Sequence, residues 1–173
     1  MAGALALATP STAAAAGPAY DPGGLEQQLF SMTNQDRNNA GLSSLVSNSS
    51  LFNIARGAPH QVCGGGQTFH GRAQDMGERG YFAHGIPPCN ASFADIARSS
   101  VAMQAWGENI AWNTGGGASA ANSSFMNSSG HRANIMGDYN TMGVGAWPVS
   151  GTWQGHSNVV IYVVLFAKVS GVV

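Results

Sequence analysis

The sequence predicts an α+β fold, with helices first, strands later, and the helices packed on a sheet. Three observations carry that expectation. Apolar residues in the N-terminal half recur at helical steps. Met142 to Trp147 alternates in the manner of a strand. Asn158 to Val169 reads NVVIYVVLFAKV, a nearly continuous β-branched and aromatic run that suits a strand buried on both faces. A length of 173 residues fits one domain with a short tail, and no internal repeat is visible.

Taken in order, the chain opens with Met1 to Ala16, MAGALALATPSTAAAA, an Ala/Leu stretch ending in small residues. That pattern resembles the apolar region and cleavage site of a signal peptide, although no Lys or Arg precedes Arg37. A disordered Ala-rich tail is the alternative. Residues 1–23 are therefore set apart as a residual signal peptide or disordered leader, and 24–173 as a single domain.

Leu25, Leu29 and Met32 then trace an amphipathic helix that Gly41 stops. Ser49 or Ser50 is expected to cap a second helix carrying Leu51, Ile54, Ala55 and Ala58, interrupted by Pro59. Gly64-Gly65-Gly66 marks a loop. Phe69, Ala73 and Met76 resume the helical period up to Gly80, and Phe93, Ile96 and Ala97 suggest a further short helix. Gly115-Gly116-Gly117 is another loop, followed by a small-residue helix from Ala118 to Asn127.

Composition excludes several functions. Charged residues are only 9% of the chain, against a globular norm of roughly 25%. Seven Lys and Arg against eight Asp and Glu give a net charge of -1, so the basic stripe of an electrostatic nucleic-acid binder is missing. The same count argues against capture by anionic membranes. With 44% hydrophobic residues, charge-driven disorder is not expected. No run of roughly 18 or more apolar residues is present to span a bilayer. The two cysteines, Cys63 and Cys89, suggest one disulfide if the chain is exported. It would close a loop of 27 residues, both ends counted, a link worth roughly 3–4 kcal/mol in the chain-entropy view. Two free thiols are the alternative.

The residues able to carry chemistry are few. Of five histidines, two sit in distinctive contexts. His84 ends Gly80-Tyr81-Phe82-Ala83-His84, and His131 lies in Ser129-Gly130-His131-Arg132-Ala133-Asn134-Ile135-Met136. Between them, Trp106-Gly107-Glu108-Asn109-Ile110 sets an acid among apolar neighbours. A carboxylate there is buried only if paired or hydrogen-bonded. Two imidazoles and a carboxylate can ligate zinc, orient water or exchange protons. Their spacing matches no compact metal motif, and by itself does not establish that they converge.

These segments, in this order, resemble the CAP superfamily, which groups cysteine-rich secretory proteins, antigen 5 and pathogenesis-related 1 proteins and is also called the SCP-like extracellular domain. The bacterial branch fits best. Asn34-Gln35-Asp36-Arg37 followed by Gly41-Leu42, then Gln74-Asp75-Met76, then Met142-Gly143-Val144-Gly145 extend the agreement over about residues 25–168. The resemblance implies a three-layer α-β-α sandwich with a central cleft, and a secreted protein. His84 and His131 resemble the family's two histidines, and Glu108 the acid of its Gly-Glu-Asn-Ile motif. The family's second acid has no counterpart: Ser128 falls where it would be, and Phe125 replaces the usual tryptophan. Some members bind a divalent metal, typically zinc, through the two histidines, so His84 and His131 are the expected ligands of any metal here.

Three functions compete. The first is a secreted binding module whose cleft, lined by His84, Glu108 and His131, holds a small ligand, lipid, glycan or divalent metal, with no cofactor required. The second is a metal-assisted extracellular hydrolase or protease with Glu108 as general base. The missing second acid and the lack of an activated nucleophile count against it. In the third, the His-Glu network is purely structural. The expected partner is an extracellular lipid, glycan or protein met by a monomer, not a nucleic acid. His156, in Gln154-Gly155-His156-Ser157, reads as a loop residue, and His60 and His70 as surface residues in an apparent insertion in the second helix, which the stretch from Pro59 to Thr68 extends. Tyr81, Phe82 and Trp106 are expected to serve packing, with Trp112 and Trp147 better placed for a contact surface.

Overall fold

A computed structural model describes residues 22–115 and 117–171, with side chains from Gly24 onward. The expected leader lies outside the described residues, except that Pro22 and Gly23 already belong to the first helix. Helix α1 (Pro22–Asn39) begins on a proline, whose missing N–H costs nothing in a first turn. It ends before Gly41, which takes the left-handed conformation at φ 77°. Strand β1 (Val46–Ser47) leads into helix α2 (Ser49–Arg56).

The cap of α2 is Asn48 and not a serine. Its extended backbone lets the carboxamide oxygen accept from Leu51 N–H at 3.1 Å. The helix also stops at Arg56, short of Ala58, because Pro59 disfavours a helical residue ahead of it.

The glycine loop lies inside a hairpin of strands β2 (His60–Gln61) and β3 (Thr68–Phe69). Phe69 is thus a strand residue paired with His60, and helix α3 (Arg72–Arg79) starts only afterwards. Gly80 closes α3 in the left-handed region, as its sequence position implied. Helix α4 (Phe93–Ala97) follows, with a reciprocal Ser92–Asp95 capping box. Strand β4 (Met103–Thr114) is next, then helices α5 (Gly117–Asn127) and α6 (Ser129–Ile135). Strand β5 (Thr141–Pro148), the short pair β6 (Thr152–Trp153) and β7 (His156–Ser157), and strand β8 (Val159–Val169) complete the order.

The main sheet runs β1-β5-β8-β4, with β1 parallel to β5 and the remaining pairs antiparallel. Strand β8 is central and buried on both faces, as its composition requires. Alternate residues serve opposite layers. Ile161, Val163 and Leu165 join Leu51, Ile54 and Met76 from α2 and α3. Tyr162, Val164 and Phe166 join Leu29, Ala118 and Phe125 from α1 and α5. The fold is therefore α+β, with helices on both faces of one sheet.

In β5 the face toward α2 carries Gly143 and Gly145. A Cβ at Gly143 would lie 2.3 Å from Leu51 C, and one at Gly145 2.2 Å from Ala55 C. Bare backbone at these two positions lets α2 lie directly on the strand, while Met142, Val144 and Ala146 fill the opposite face.

Cys63 and Cys89 form a disulfide with Cα atoms 5.3 Å apart. It ties the β2–β3 hairpin to the loop between α3 and α4, which also carries His84. The hairpin residues Ala58 to Gln61 border a different cleft from the one His84 lines. The bridge staples the hairpin to this loop one residue before Asn90, which lines the His84 cleft. His60 is half-buried: it borders that second cleft, but its ring stacks on Phe69 with centroids 6.1 Å apart and its Nε2 is buried. Burial holds its pKa below the ordinary value.

Candidate functional site

The site gathers where β4 passes between the two helical layers. Glu108 points to the α3 side and Asn109, one residue on, to the α6 side, as the pleat dictates. Glu108 is 7% exposed and Arg72, the first residue of α3, is fully buried beneath it. Arg72 Nε donates to Glu108 Oε1 at 2.7 Å, and its Nη2 reaches Oε2 at 3.4 Å. His84 Nδ1 stands 2.8 Å from the same Oε2. Both carboxylate oxygens are therefore engaged.

Arg72 does more than neutralise Glu108. Its Nη2 donates to the carbonyls of Ala83 and His84 at 2.7 and 3.0 Å, and Nη1 to the Tyr81 hydroxyl at 3.0 Å. Tyr81 passes the chain on to Asp75 at 2.5 Å, and Asp75 pairs with Arg79 at 2.9 Å. Burial works against the charge on Arg72, but Glu108 more than offsets it, so the guanidinium pKa lies above its ordinary value. Burial pushes the Tyr81 hydroxyl up to about 12, with Arg72 opposing and the bond to Asp75 adding.

On the far side, Asn109 Nδ2 donates to the His131 carbonyl at 2.9 Å. Asn134 Nδ2 donates to Glu108 O and to Asn109 Oδ1 at 3.2 and 2.9 Å. These bonds fasten α6, and with it His131, against the outer edge of β4. The His131 ring meets Phe125 edge-on at 5.3 Å, and its buried Nδ1 has no partner among the described residues. Burial lowers its pKa, and the nearby His84 lowers it further.

An open cleft of about 510 Å³ is lined by His84, Asn90, Ser92, Trp106, Glu108 and Asn134, among others. His84 and Glu108 form part of its wall, while His131 is not among its lining residues. Trp106, expected to serve packing, is instead 49% exposed on the cleft wall. Trp112, proposed for a contact surface, packs on Trp153 and His156 at 5.6 and 4.8 Å.

Among the described residues no group of three or more His, Cys, Asp or Glu side chains is arranged to hold a metal ion. Glu108 is already bound by Arg72, which leaves two imidazoles. Such a donor set fits a loosely held, exchangeable ion and does not fit a resident catalytic zinc, which needs three protein ligands.

Sequence reasoning singled out His84, Glu108 and His131; the structure bonds the first two, sets His131 outside the cleft lining, and surrounds Glu108 with Arg72, Asn109 and Asn134, to which the sequence reading gave no role. For Arg72 a signal was present. It stands four residues before Met76, on the buried stripe of the helix, where a cation needs a partner.

Solved structures give the same fold. An extracellular protein containing an SCP domain from Bacillus anthracis aligns with a TM-score of 0.65 at 26% identity, over 88% of this chain and 45% of that one. An outer surface protein from Borrelia burgdorferi aligns at 0.66 and 16% identity, over 87% of this chain and 97% of that one. A cysteine-rich secretory protein from Staphylococcus aureus aligns at 0.56 and 20% identity, over 87% of this chain and 41% of that one. The chain thus spans less than half the length of the first and third. No protein-family model matches the sequence, and no curated relative matches it. The chain thus has the fold of bacterial SCP-domain proteins, and these neighbours support its assignment to the CAP superfamily.

Proposed function

We propose that this chain is a secreted or surface-held binding module whose cleft, walled by His84 and Glu108, takes a small extracellular ligand without turning it over. The single observation that carries this reading is the state of Glu108. A general base needs an oxygen free to take a proton from substrate or water. Here Arg72 and His84 occupy both oxygens, and no second acid stands at Ser128. Extracellular placement draws support from the neighbours, described as extracellular or outer-surface proteins. No described helix is long and apolar enough to cross a membrane.

The same network also braces the fold, since Arg72 bonds the His84 loop at two carbonyls. A purely structural role would need nothing further. The open cleft beside the network favours binding as well.

An exchangeable divalent ion is the second reading, favoured by one detail. Glu108 holds His84 by Nδ1, which leaves Nε2 as the remaining ring nitrogen, and a carboxylate behind an imidazole is the usual support for a metal-binding histidine.

Thermal-shift titration against glycans, lipids and zinc, with mass spectrometry of the supernatant, tests the proposal. A saturable rise in Tm without product is the expected outcome. Product release that Glu108→Gln abolishes would replace binding with hydrolysis. Loss of a zinc-dependent rise in the His84→Ala/His131→Ala variant would assign the ion to the two histidines.

A further inference from the structure

The His84 cleft does not end at Trp106. A second hollow of about 330 Å³, bordered by Arg98, Val101 and Met103, shares that tryptophan with it. The exposed indole is a wall common to both, so a ligand longer than either hollow would cross it. The ring is held in place: Phe93, fully buried in α4, meets it edge-on at 5.4 Å, and the Trp106 carbonyl accepts from the Tyr139 hydroxyl at 3.2 Å. A large aromatic face that is exposed yet fixed is a ready contact surface, with little ordering left to do on binding.

The polar groups around it are neutral or already neutralised. Glu108 is paired with Arg72 and His84, and Arg98 with Asp95 at 3.3 Å. Among the described residues that line the two hollows, each charged side chain has an opposite charge within 3.3 Å. The free capacity is of the amide and imidazole kind. Asn90, in the left-handed conformation at φ 58°, packs its carboxamide on Gly85, where a Cβ would lie 1.7 Å from Asn90 Oδ1. At the floor, Gly107 leaves room beside Asn134 Oδ1, which a Cβ would approach to 3.1 Å. An acyl chain wants an enclosed apolar pocket, whereas this hollow is open and has carboxamides near its floor.

Resting on the binding reading of the same cleft, we infer that the groove takes an uncharged oligosaccharide, one sugar stacked on Trp106 and its neighbours reaching into the two hollows. The C–H face of a pyranose suits the indole, and its hydroxyls suit the carboxamides and the free nitrogen of His84.

Calorimetry with chitotetraose, cellotetraose and maltotetraose, each beside its disaccharide, tests this. At least one tetramer should bind, and tighter than its dimer by about tenfold or more, since both hollows are used. Trp106→Ala should lose at least about tenfold in affinity, as truncation of an aromatic anchor does. Its circular dichroism should stay unchanged, and Trp106→Phe should recover part of the loss. Absence of binding by all three tetramers, or full affinity in Trp106→Ala, overturns the inference. Phosphatidylcholine vesicles carrying a fluorescent fatty acid are titrated in parallel. Lipid uptake without sugar binding overturns the oligosaccharide and leaves the binding module standing. A chain that takes neither sugar, lipid nor zinc sinks both.

Discussion

Two buried arginines hold the two histidine-bearing segments, and they do it differently. Arg72 lies under the His84 loop and faces a carboxylate that the loop also uses. Arg37, near the end of α1, has no carboxylate bonded to it among the described residues. It gives Nε to Ser43 O at 2.9 Å, and Nη1 to Ile135 O and Gly137 O at 2.7 and 2.9 Å. These carbonyls belong to the exits of α1 and α6, so Arg37 holds the helix carrying His131 from behind, without touching the imidazole. The first arginine is part of the site, and the second is scaffolding for it. Burial accordingly lowers the Arg37 pKa, whereas Glu108 raises that of Arg72.

That difference sets the order of expected losses. Arg72→Met strands a nearly buried carboxylate, and removing one partner of such a pair costs about 3–5 kcal/mol. Thermal denaturation should show the loss, and Arg72→Met/Glu108→Leu should regain much of it, because no uncompensated charge remains. A double variant no better than Arg72→Met alone would mean that the carbonyl bonds to Ala83 and His84 matter more than the ion pair.

Cleaving the Cys63–Cys89 link by Cys63→Ser/Cys89→Ser should cost about 2–4 kcal/mol, the usual range for a native disulfide. Arg72 still bonds the carbonyls of Ala83 and His84, and Arg79 that of Pro87. The loop should therefore keep its site geometry. The imidazole resonances of His84 in the NMR spectrum should move little while the urea midpoint falls.

Arg37→Met leaves buried carbonyls unpaired but no stranded counter-charge, so a loss of about 1–3 kcal/mol is expected. An equal or larger loss than in Arg72→Met would break the distinction between site and scaffold.

Both arginines were half-visible in the sequence. Arg37 follows Leu29 and Thr33 at steps of four, and Arg72 precedes Met76 by four, so each sits on a buried helical stripe. What periodicity does not give is the partner, which comes from a distant strand or from main-chain carbonyls. The central strand β8 was legible because both of its faces are apolar, and α1, α4 and α5 because their spacing and stops agree. Strand β4 was not. Its MQAWGENIAWNT mixes polar and apolar residues because Glu108 meets an arginine on one face and Asn109 meets α6 on the other. The motif residues were found by resemblance, and the exposure of Trp106 waited for tertiary structure. Phe69 fits a helical period by accident, since the hairpin that pairs it with His60 is not periodic in sequence.

The smallest effect concerns acid. His60 and His131 both have pKa values below the ordinary 6.5, each chiefly through burial. His60 sits between Asp75, which favours its charge, and Arg72 and His70, which oppose it; for His131 the opposing neighbour is His84. The unfolded chain therefore takes up these protons more readily than the folded one. The stability they contribute is complete above pH 6.5 and is lost as pH falls through their depressed values. Asp95, lowered by its bonds to Ser92, contributes a stability that is complete above its ordinary 3.8 and is lost only below it, so its titration leaves that window clear. Urea midpoints should thus fall between about pH 7.5 and pH 5. His60→Phe keeps a ring over Phe69 without a proton to gain, and should flatten part of that slope. The part that remains belongs to His131, whose buried Nδ1 has no hydrogen-bond partner among the described residues. If His60→Phe flattened the whole slope, the depressed pKa of His131 would contribute nothing to stability and His60 would carry the entire acid response.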